Sequence, residues 1–301
     1  MGHSHGHSPS HRRLVMVLAL TVAVMVVEAA VAWVSGSLAL LADAGHMLTD
    51  AAAIILALAA MSVARIEVGA TSRRSFGWAR VEVLAAGANA IGLLVLCGFI
   101  VWHAVGRLQS PAEVDAGWTL VAAAVGLAAN LIGMWLLNHD AQGSLNVRAA
   151  FLEVAADALG SVAVLVSSIV ILTAGWHQAD AVASLLIAAF VVPRAVILLR
   201  EVAEVLLEAT PRHVDLAELR EHILRTPGVV DVHDLHVWTI TSSQPVMSAH
   251  VVVDDDVSEI GHAQVVLERL RTCLADHFDV EHSTFQIEGS GHADSEPHVH
   301  H

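Results

Sequence analysis

Two ionisable residues, His46 and Asp50, lie within an apolar segment long enough to cross a membrane. They are four positions apart, so on an α-helix both side chains lie on one face and an imidazole nitrogen approaches a carboxylate oxygen. Both groups are ligands for divalent metal ions. Because ionisable side chains are costly at bilayer depth, they usually mark an ion or proton path.

A second pair with the same spacing, Glu153 and Asp157, lies in a later apolar segment. If the two segments pack face to face, the four side chains form a nitrogen and oxygen ligand set of the kind that tetrahedral zinc uses. Three carboxylates also suit proton binding, because crowded acids raise one another's pKa when the metal leaves. The alternative is that each pair is a separate interhelical polar contact.

The composition is that of a membrane protein, with 55% hydrophobic residues and a mean hydropathy of +0.64, well above the usual value for a soluble domain. Each of six apolar runs reaches the roughly 20 residues that span a bilayer. These predicted transmembrane helices are 14–34, 38–64, 81–105, 117–138, 149–174 and 178–200. The two cysteines, Cys97 and Cys273, indicate neither a disulfide framework nor a thiolate metal site.

The arginines fall mainly on one side of the predicted membrane segments, which predicts that both termini are cytoplasmic in a multi-pass inner-membrane protein. Arg107 lies on the opposite side. The arginines on the first side are Arg12, Arg13, Arg65, Arg73, Arg74, Arg80, Arg148, Arg194 and Arg200.

The acidic residues, which give the chain a net charge of −15, are concentrated in the last third and indicate a soluble domain there. Asp215 followed by Glu218 predicts a helix start, with Leu216, Leu219 and Ile223 on one stripe of the helix. Strands 229–240 and 246–253, a helix 259–278 and a strand 283–288 complete an αββαβ order, a small α+β domain.

The predicted organisation therefore has four parts. A disordered histidine-rich tail (1–13) precedes a six-helix transmembrane domain (14–200), a cytoplasmic αββαβ domain (201–290) and a disordered histidine-containing tail (291–301). The N-terminal histidines either bind metal weakly or have no role.

Five motifs are distinctive in this chain: SLALLADAGHMLTD (37–50), SFGWARVE (75–82), SLNVRAA (144–150), DALGS (157–161) and HDLHVW (233–238). Together they resemble the cation diffusion facilitator family of divalent metal/proton antiporters, and within it the bacterial zinc/cobalt/cadmium resistance branch. The resemblance covers nearly the whole chain and implies a homodimer whose cytoplasmic domains pair.

The resemblance implies a transport site built from His46, Asp50, Glu153 and Asp157. Many zinc members carry histidine at the first position of the later pair, where this chain has Glu153. Carboxylates are harder ligands than imidazole, so manganese or iron remains an alternative substrate, although His46 and the resemblance favour zinc.

In the cytoplasmic domain the resemblance implies a second metal site at His233, His250 and Glu288, one residue from each predicted strand. Its implied role is to sense cytoplasmic metal and to stabilise the dimer. The site requires a strand order that brings the three residues together. The alternative is that they are isolated surface side chains.

Two expectations concern the junction between the domains. Arg80 and Glu208 match positions that form an interlocking ion pair in similar transporters. The loop 65–80 contains no histidine or aspartate and only one acid, Glu67, so we expect no metal site there.

Further polar residues lie within the predicted spans. We expect ordinary interhelical hydrogen bonds from Glu28, Asn89 and Asn130. Asp43 shares a helix face with His46 and lies nearer the outer end, which makes it a candidate for lining the extracellular exit.

The sequence therefore predicts a proton-coupled exporter of zinc, with cobalt and cadmium as further candidate substrates, and not an enzyme. The alternatives are a manganese or iron exporter of the same fold and a membrane metal sensor without transport. An intramembrane zinc hydrolase is disfavoured because no His-Glu-x-x-His motif occurs and four protein ligands leave no open position. The acidic soluble domain also argues against nucleic-acid binding.

Overall fold

The computed structural model describes residues 9–64, 73–138, 145–241, 244–254, 260–278, 282–289 and 291–292. The predicted tails lie mostly outside these residues, as does the part 65–72 of the loop expected to lack a metal site. The described elements are α1 Pro9–Ser35, α2 Leu38–Ala64, α3 Val81–Gln109, α4 Ala116–Asn138, α5 Leu145–Ala174, α6 Gln178–Leu206, α7 Leu216–Leu224, β1 Val229–Thr239, β2 Pro245–Val253, α8 Ile260–Phe278 and β3 His282–Gly289.

The chain divides into two compact units, one formed by 1–58 with 86–199 and the other by 59–85 with 200–301. Within the described residues, five helices (α1, α3, α4, α5 and α6) are long and apolar enough to cross a membrane. The α2 helix has 27 residues and a similarly apolar sequence. The predicted order of six long helices followed by a small α+β domain is confirmed.

Two helix ends differ from the predicted boundaries. The α1 helix begins at Pro9, so residues 9–13 are helical and do not belong to a disordered tail; proline is well suited to the first turn of a helix because it lacks the N–H that would be unpaired there. The α6 helix continues past 200 to Leu206. An apolar run marks the thickness of the hydrocarbon layer, whereas the helix itself can extend beyond it.

The helical unit has a shared apolar core. Leu40, Ile100, Ala123, Val164 and Ile187, which come from five successive helices starting with α2, are all buried in one cluster. The α4 helix packs against both α1 and α5. This packing fixes the helix faces that carry the polar side chains of the interior.

The start of α2 is held by a buried acid from α6. Asp180 accepts hydrogen bonds from Ser37 Oγ at 2.5 Å and from the Leu38 amide at 2.8 Å. Arg107 of α3 lies 3.6 Å from Asp180 and donates to the Gly36 carbonyl at 2.6 Å. An unpaired helix N-terminus carries partial positive charge, so the carboxylate stabilises it. This contact sets where α2 begins.

The second unit is a three-stranded sheet in the order β1-β2-β3 with helices α7 and α8. The β1 and β2 strands are antiparallel, as the predicted hairpin requires, while β2 and β3 are parallel. Parallel neighbours need a crossover connection, which α8 supplies. The central position of β2 brings β1 and β3 side chains to its two edges.

The α7 helix begins as predicted. Asp215 is its N-cap and accepts hydrogen bonds from the amides of Ala217 and Glu218. Leu219 and Ile223 are fully buried, but Leu216 is 39% exposed. The predicted stripe is therefore buried at two of its three positions and partly exposed at Leu216, in the first turn of the helix.

Candidate metal centre

A cavity of about 500 Å³ extends through the helical unit from the middle of α2. Its other lining residues come from the first halves of α1, α3 and α5 and the second half of α6. These segments share the end of the bundle that carries the N-terminus of α1 and the C-terminus of α6, here called the near end. The polar residues that line the cavity are Thr21, His46, Asp50, Asn89, Glu153, Asp157 and Arg194.

Three of the four predicted transport-site residues converge in this cavity. His46 Nε2 lies 3.4 Å from Asp50 Oδ2 and 3.7 Å from Asp157 Oδ1. One ligand atom from each of the three side chains lies within 4.8 Å of the other two. The α2 pair meets through helical spacing, and Asp157 joins it across the α2–α5 contact.

These ligand atoms are not engaged elsewhere. Asp50 Oδ2 and Asp157 Oδ1 are buried and make no hydrogen bond within the described structure, and the same holds for His46 Nδ1. Buried polar atoms in proteins are nearly always paired, so each of these carries a desolvation cost. A divalent cation between the two carboxylates would satisfy both oxygens at once. The donor set therefore fits a metal ion.

Glu153, the fourth predicted residue, lies outside this three-atom group. Its Oε1 accepts an ion-paired hydrogen bond from Arg194 Nη2 of α6 at 2.5 Å. Both side chains line the same cavity as His46. Sequence reasoning used Arg194 only as a topology signal and missed this role, although an arginine inside an apolar run was a usable sign.

The other polar residues of the spans behave differently from one another. Asn89 donates to the Thr49 carbonyl at 3.0 Å, the expected interhelical hydrogen bond. Asn130 donates to Ser161 Oγ at 3.4 Å. Glu28 contradicts the prediction: it is 1% exposed and neither carboxylate oxygen makes a hydrogen bond. The Ser161 hydroxyl, which like Glu28 lies close to Gly126, donates to Asp43 instead.

The three predicted residues of the cytoplasmic domain also converge. His233 Nε2 lies 3.2 Å from Glu288 Oε2, and His250 Nδ1 lies 2.7 Å from Glu288 Oε1. The strand register places His233 directly opposite His250, and their ring centroids are 5.0 Å apart. Two imidazoles and a carboxylate form a ligand set that zinc accepts.

Asp234, which sequence reasoning did not single out, acts on this group. Its Oδ2 lies 3.1 Å from His233 Nδ1, and its φ of 47° lies where the β1 register shifts. Burial by itself would lower the pKa of His233, but hydrogen bonds to Asp234 and Glu288 outweigh it and raise that pKa above its usual value. A carboxylate on the second imidazole nitrogen is typical of metal-ligating histidines. The sequence signal that could have identified Asp234 is the HDLHVW motif, in which it follows His233 directly.

Arg80 and Glu208 lie close together in the second unit. Arg80 Nη2 is 2.7 Å from Glu208 Oε1, and the side chains are 39% and 57% exposed. Glu208 has a positive φ of 57° just beyond the end of α6. Exposed pairs of this kind contribute roughly 0–1 kcal/mol, so the contact orients the chain more than it stabilises it.

Comparisons with known proteins cover almost the entire chain. The profile of the cation efflux transmembrane domain matches residues 14–207, and that of the cytoplasmic domain of cation efflux proteins matches residues 211–290. The zinc transporter ZitB of Escherichia coli is 41% identical over 96% of this chain and 93% of its own length.

One further relative is named for the efflux of metal cations in general, and another for antiport of cadmium, cobalt and zinc. The metal cation efflux system protein CzcD of Cupriavidus metallidurans is 43% identical over 95% of this chain and 90% of its own. A cadmium, cobalt and zinc/H⁺-K⁺ antiporter of Bacillus velezensis is 34% identical over 97% and 93%.

Proposed function

The chain belongs to the cation efflux family of multi-pass membrane transporters, and from this premise we propose that it exports zinc in exchange for protons. It is a transporter of metal cations and not an enzyme. The observation that carries the proposal is the group of three ligand atoms within 4.8 Å, buried in the helical unit.

The transport site is proposed to consist of His46, Asp50 and Asp157, with Glu153 as the fourth ligand. Zinc is favoured because it accepts mixed nitrogen and oxygen ligands in tetrahedral geometry. The name of the relative ZitB supports zinc, and the name of CzcD supports metal efflux. Only Oε1 of Glu153 is bonded to Arg194, at 2.5 Å, so Oε2 is the oxygen proposed to bind the ion.

The mechanism follows from the acid–base chemistry of the ligands. Metal binds the deprotonated side chains, so metal and protons compete for one site. The cavity is lined from the half of the bundle at the near end, which the distribution of arginines predicts to be cytoplasmic, so a cytoplasmic ion is proposed to enter from that end. Rearrangement of the bundle would expose the site to the other face, where protonation of Asp50 and Asp157 releases the ion.

The protein is proposed to act as a homodimer in the inner membrane with both termini in the cytoplasm. The match to the cytoplasmic dimerisation domain of the family supports the dimer. The His233, His250 and Glu288 group is proposed to bind zinc as a regulatory ion, because its three ligand atoms lie within 4.8 Å of one another. This site would report the cytoplasmic metal concentration to the paired domains.

A manganese or iron exporter is the second candidate. The observation that favours it is the carboxylate of Glu153 on the face where a histidine would suit zinc better. Harder oxygen ligands favour manganese. His46 supports zinc over this candidate, as do the names of ZitB and of the cadmium, cobalt and zinc/H⁺-K⁺ antiporter.

The test is metal flux in proteoliposomes with an imposed pH gradient. We expect zinc accumulation that stops when the gradient is collapsed and that Asp50→Ala abolishes. Ser168→Ala is the matched control, because Ser168 is buried but bonds only to the Val164 carbonyl of its own helix. Zinc uptake that is indifferent to the gradient would refute antiport. Equal loss in both variants would refute the site.

A further inference from the structure

Glu28 on α1 is a buried acid that the proposed metal site does not use. It is 1% exposed, and neither oxygen has a hydrogen-bond partner in the described part of the chain. An ionised carboxylate in such a place is among the costliest arrangements in a protein. Side chains of this kind inside membrane helices commonly hold protons.

The hydrogen bonds near Glu28 form a chain from Asn130 through Ser161 to Asp43, and Glu28 is not part of this chain. Asn130 Nδ2 donates to Ser161 Oγ at 3.4 Å, and Ser161 Oγ donates to Asp43 Oδ2 at 3.3 Å. A serine hydroxyl has only one hydrogen, so Ser161 has none left for Glu28. The hydrogen bond from Ser161 therefore favours the anion of Asp43, whereas Glu28 has no donor among the described residues.

Two glycines make room for the two carboxyl groups. A Cβ added to Gly126 of α4 would overlap Glu28 Oε1 and would lie 3.3 Å from Ser161 Oγ. A Cβ added to Gly160 of α5 would overlap Asp43 Oδ1. Both acids are therefore fitted closely into the backbone of neighbouring helices, next to the same serine.

The charged groups that act on Glu28 are both acidic. Asp43 of α2 and Asp157 of α5 exert the electrostatic influence on it, and the groups that face it from α4 and α5, Gly126 and Ser161, are uncharged. An anionic Glu28 would be desolvated, without a hydrogen bond and repelled by two neighbours. A proton on Glu28 removes the charge and supplies the donor that its surroundings lack.

We propose that Glu28 is a proton-binding site of the antiport cycle, separate from the metal ligands. It holds one proton while the metal site is empty. It releases that proton to water, as its O–H bond breaks to leave the carboxylate, when a divalent ion binds beside Asp157. The coupling is reciprocal, so protonation of Glu28 in turn weakens metal binding. This inference rests on the proposed proton exchange.

The position of Glu28 gives the site a direction. It lies in the second half of α1, and Asp43 lies in the first turns of α2, so both are displaced from Asp50 toward the far end, the end opposite to the near end. The cavity at the metal group extends the other way. A proton that arrives from the far side would meet Glu28 before the metal ligands, as an exchange of opposing flows requires.

The experiment compares wild type, Glu28→Gln and Ser168→Ala in proteoliposomes that carry a zinc indicator and a pH indicator. Glu28→Gln should release one proton fewer per zinc ion and should retain zinc/zinc exchange, which also shows that it folds. Ser168→Ala should match wild type. Infrared difference spectra should show a protonated carboxyl band that zinc removes from wild type and that Glu28→Gln lacks. Glu28→Asp should restore the proton count.

Further outcomes separate this inference from the proposed function. If wild type moves zinc without protons, the antiport itself is wrong and the inference falls with it. If wild type exchanges protons and Glu28→Gln keeps both its proton count and its infrared band, only the Glu28 site is refuted. If Glu28→Gln loses zinc/zinc exchange, Gly126→Ala is the variant to test in its place, because the added Cβ displaces the Glu28 carboxyl. An infrared band that is unchanged in Gly126→Ala would also refute the Glu28 site.

Discussion

Arg194 Nη2 lies 2.5 Å from Glu153 Oε1, inside the cavity that His46 also lines. The Arg194 guanidinium of α6 thereby forms an ion pair with the carboxylate that the sequence predicts as the fourth metal ligand. Arginine stays protonated in proteins, so it neutralises Glu153 and repels an entering cation. The cavity contains both a candidate ligand and its competitor.

The first prediction concerns selectivity. Glu153→His replaces a hard carboxylate by imidazole and frees Arg194, since a neutral imidazole does not form the ion pair. We expect the preference for zinc over manganese to rise about tenfold, which corresponds to ~1.4 kcal/mol. Competitive flux with both metals in proteoliposomes measures this ratio.

Arg194→Gln is the control for that experiment. It releases Glu153 and removes the positive charge but leaves the ligand types unchanged, so the affinities for both metals should rise together. If Arg194→Gln shifts the zinc-to-manganese ratio as much as Glu153→His does, selectivity is not set by the ligand at 153.

Contacts between residues close in the sequence were predictable, whereas those between distant helices depend on how the helices pack. The approach of His46 to Asp50 follows from helical spacing alone, and the family resemblance supplied the packing of α2 on α5 that adds Asp157. The pairing of Glu153 with Arg194 depends on which face α6 turns toward α5. No pattern within either segment contains that information.

Two other features also depend on packing between elements that the sequence does not specify. Polar residues in membrane helices usually form hydrogen bonds. That expectation held for Asn89 and failed for Glu28, because the Ser161 hydroxyl close to it donates to Asp43. In the second unit the αββαβ order was predictable from hydrophobic periodicity. The strand order that brings Glu288 to the histidines depends on the crossover through α8 and came only from the structure.

The second prediction separates the two metal groups. Asp50→Ala removes one of three converging ligands, so zinc affinity in the helical unit should fall by at least about a hundredfold, more than the loss of a residue that merely orients a ligand. The cytoplasmic group should be unaffected. Calorimetric titration of the purified transporter resolves the two binding events. His250→Ala should give the reverse pattern, and loss of both events in either variant would contradict the assignment of two independent sites.

The third prediction concerns protons at the cytoplasmic group. Because the hydrogen bonds that His233 donates to Asp234 and Glu288 raise its pKa above the usual value of about 6.5, the folded protein retains a proton there at higher pH than the unfolded chain does. This contribution to stability is fully present below the unfolded pKa and is lost as pH rises through the folded pKa. Zinc must displace the same proton, so its affinity should weaken as pH falls through that value.

Calorimetry of Asp50→Ala in two buffers with different ionisation enthalpies counts the protons that zinc releases from the cytoplasmic group. The apparent enthalpy should depend on the buffer near neutral pH, and this dependence should diminish when His233→Gln is added. If zinc binds with the same buffer dependence in the absence of His233, another group carries the proton.

The fourth prediction tests the contact between Arg80 and Glu208. Arg80→Glu and Glu208→Arg each replace a contact of opposite charges, now 2.7 Å between Nη2 and Oε1, by two like charges, so each should reduce transport. The double reversal restores opposite charges and should recover most of the flux. The expected change in unfolding free energy is small, about 1 kcal/mol or less, because the pair is exposed. Flux with no recovery in the double variant would show that the pair has no functional role.

The fifth prediction concerns Asp180, which caps α2 from the start of α6. Its carboxylate accepts from Ser37 Oγ and the Leu38 amide and lies 3.6 Å from Arg107. Loss of a capping side chain costs about 0.5–2 kcal/mol, and a buried arginine contact adds to that, so Asp180→Ala should unfold at a lower denaturant concentration. Asp180→Asn keeps one acceptor oxygen, so it should unfold at a denaturant concentration between those of wild type and Asp180→Ala.

Asp180→Ala should also weaken zinc binding. The α2 helix carries His46 and Asp50, and the contact with Asp180 fixes where this helix begins. Asp215→Ala is the matched control, since Asp215 caps α7 through the Ala217 and Glu218 amides in the other unit. It should lower the stability of that unit and leave zinc binding at His46 and Asp50 intact. Unchanged zinc affinity in a destabilised Asp180→Ala would mean that the packing of α2 against its neighbours, and not its capped end, holds the two ligands in place.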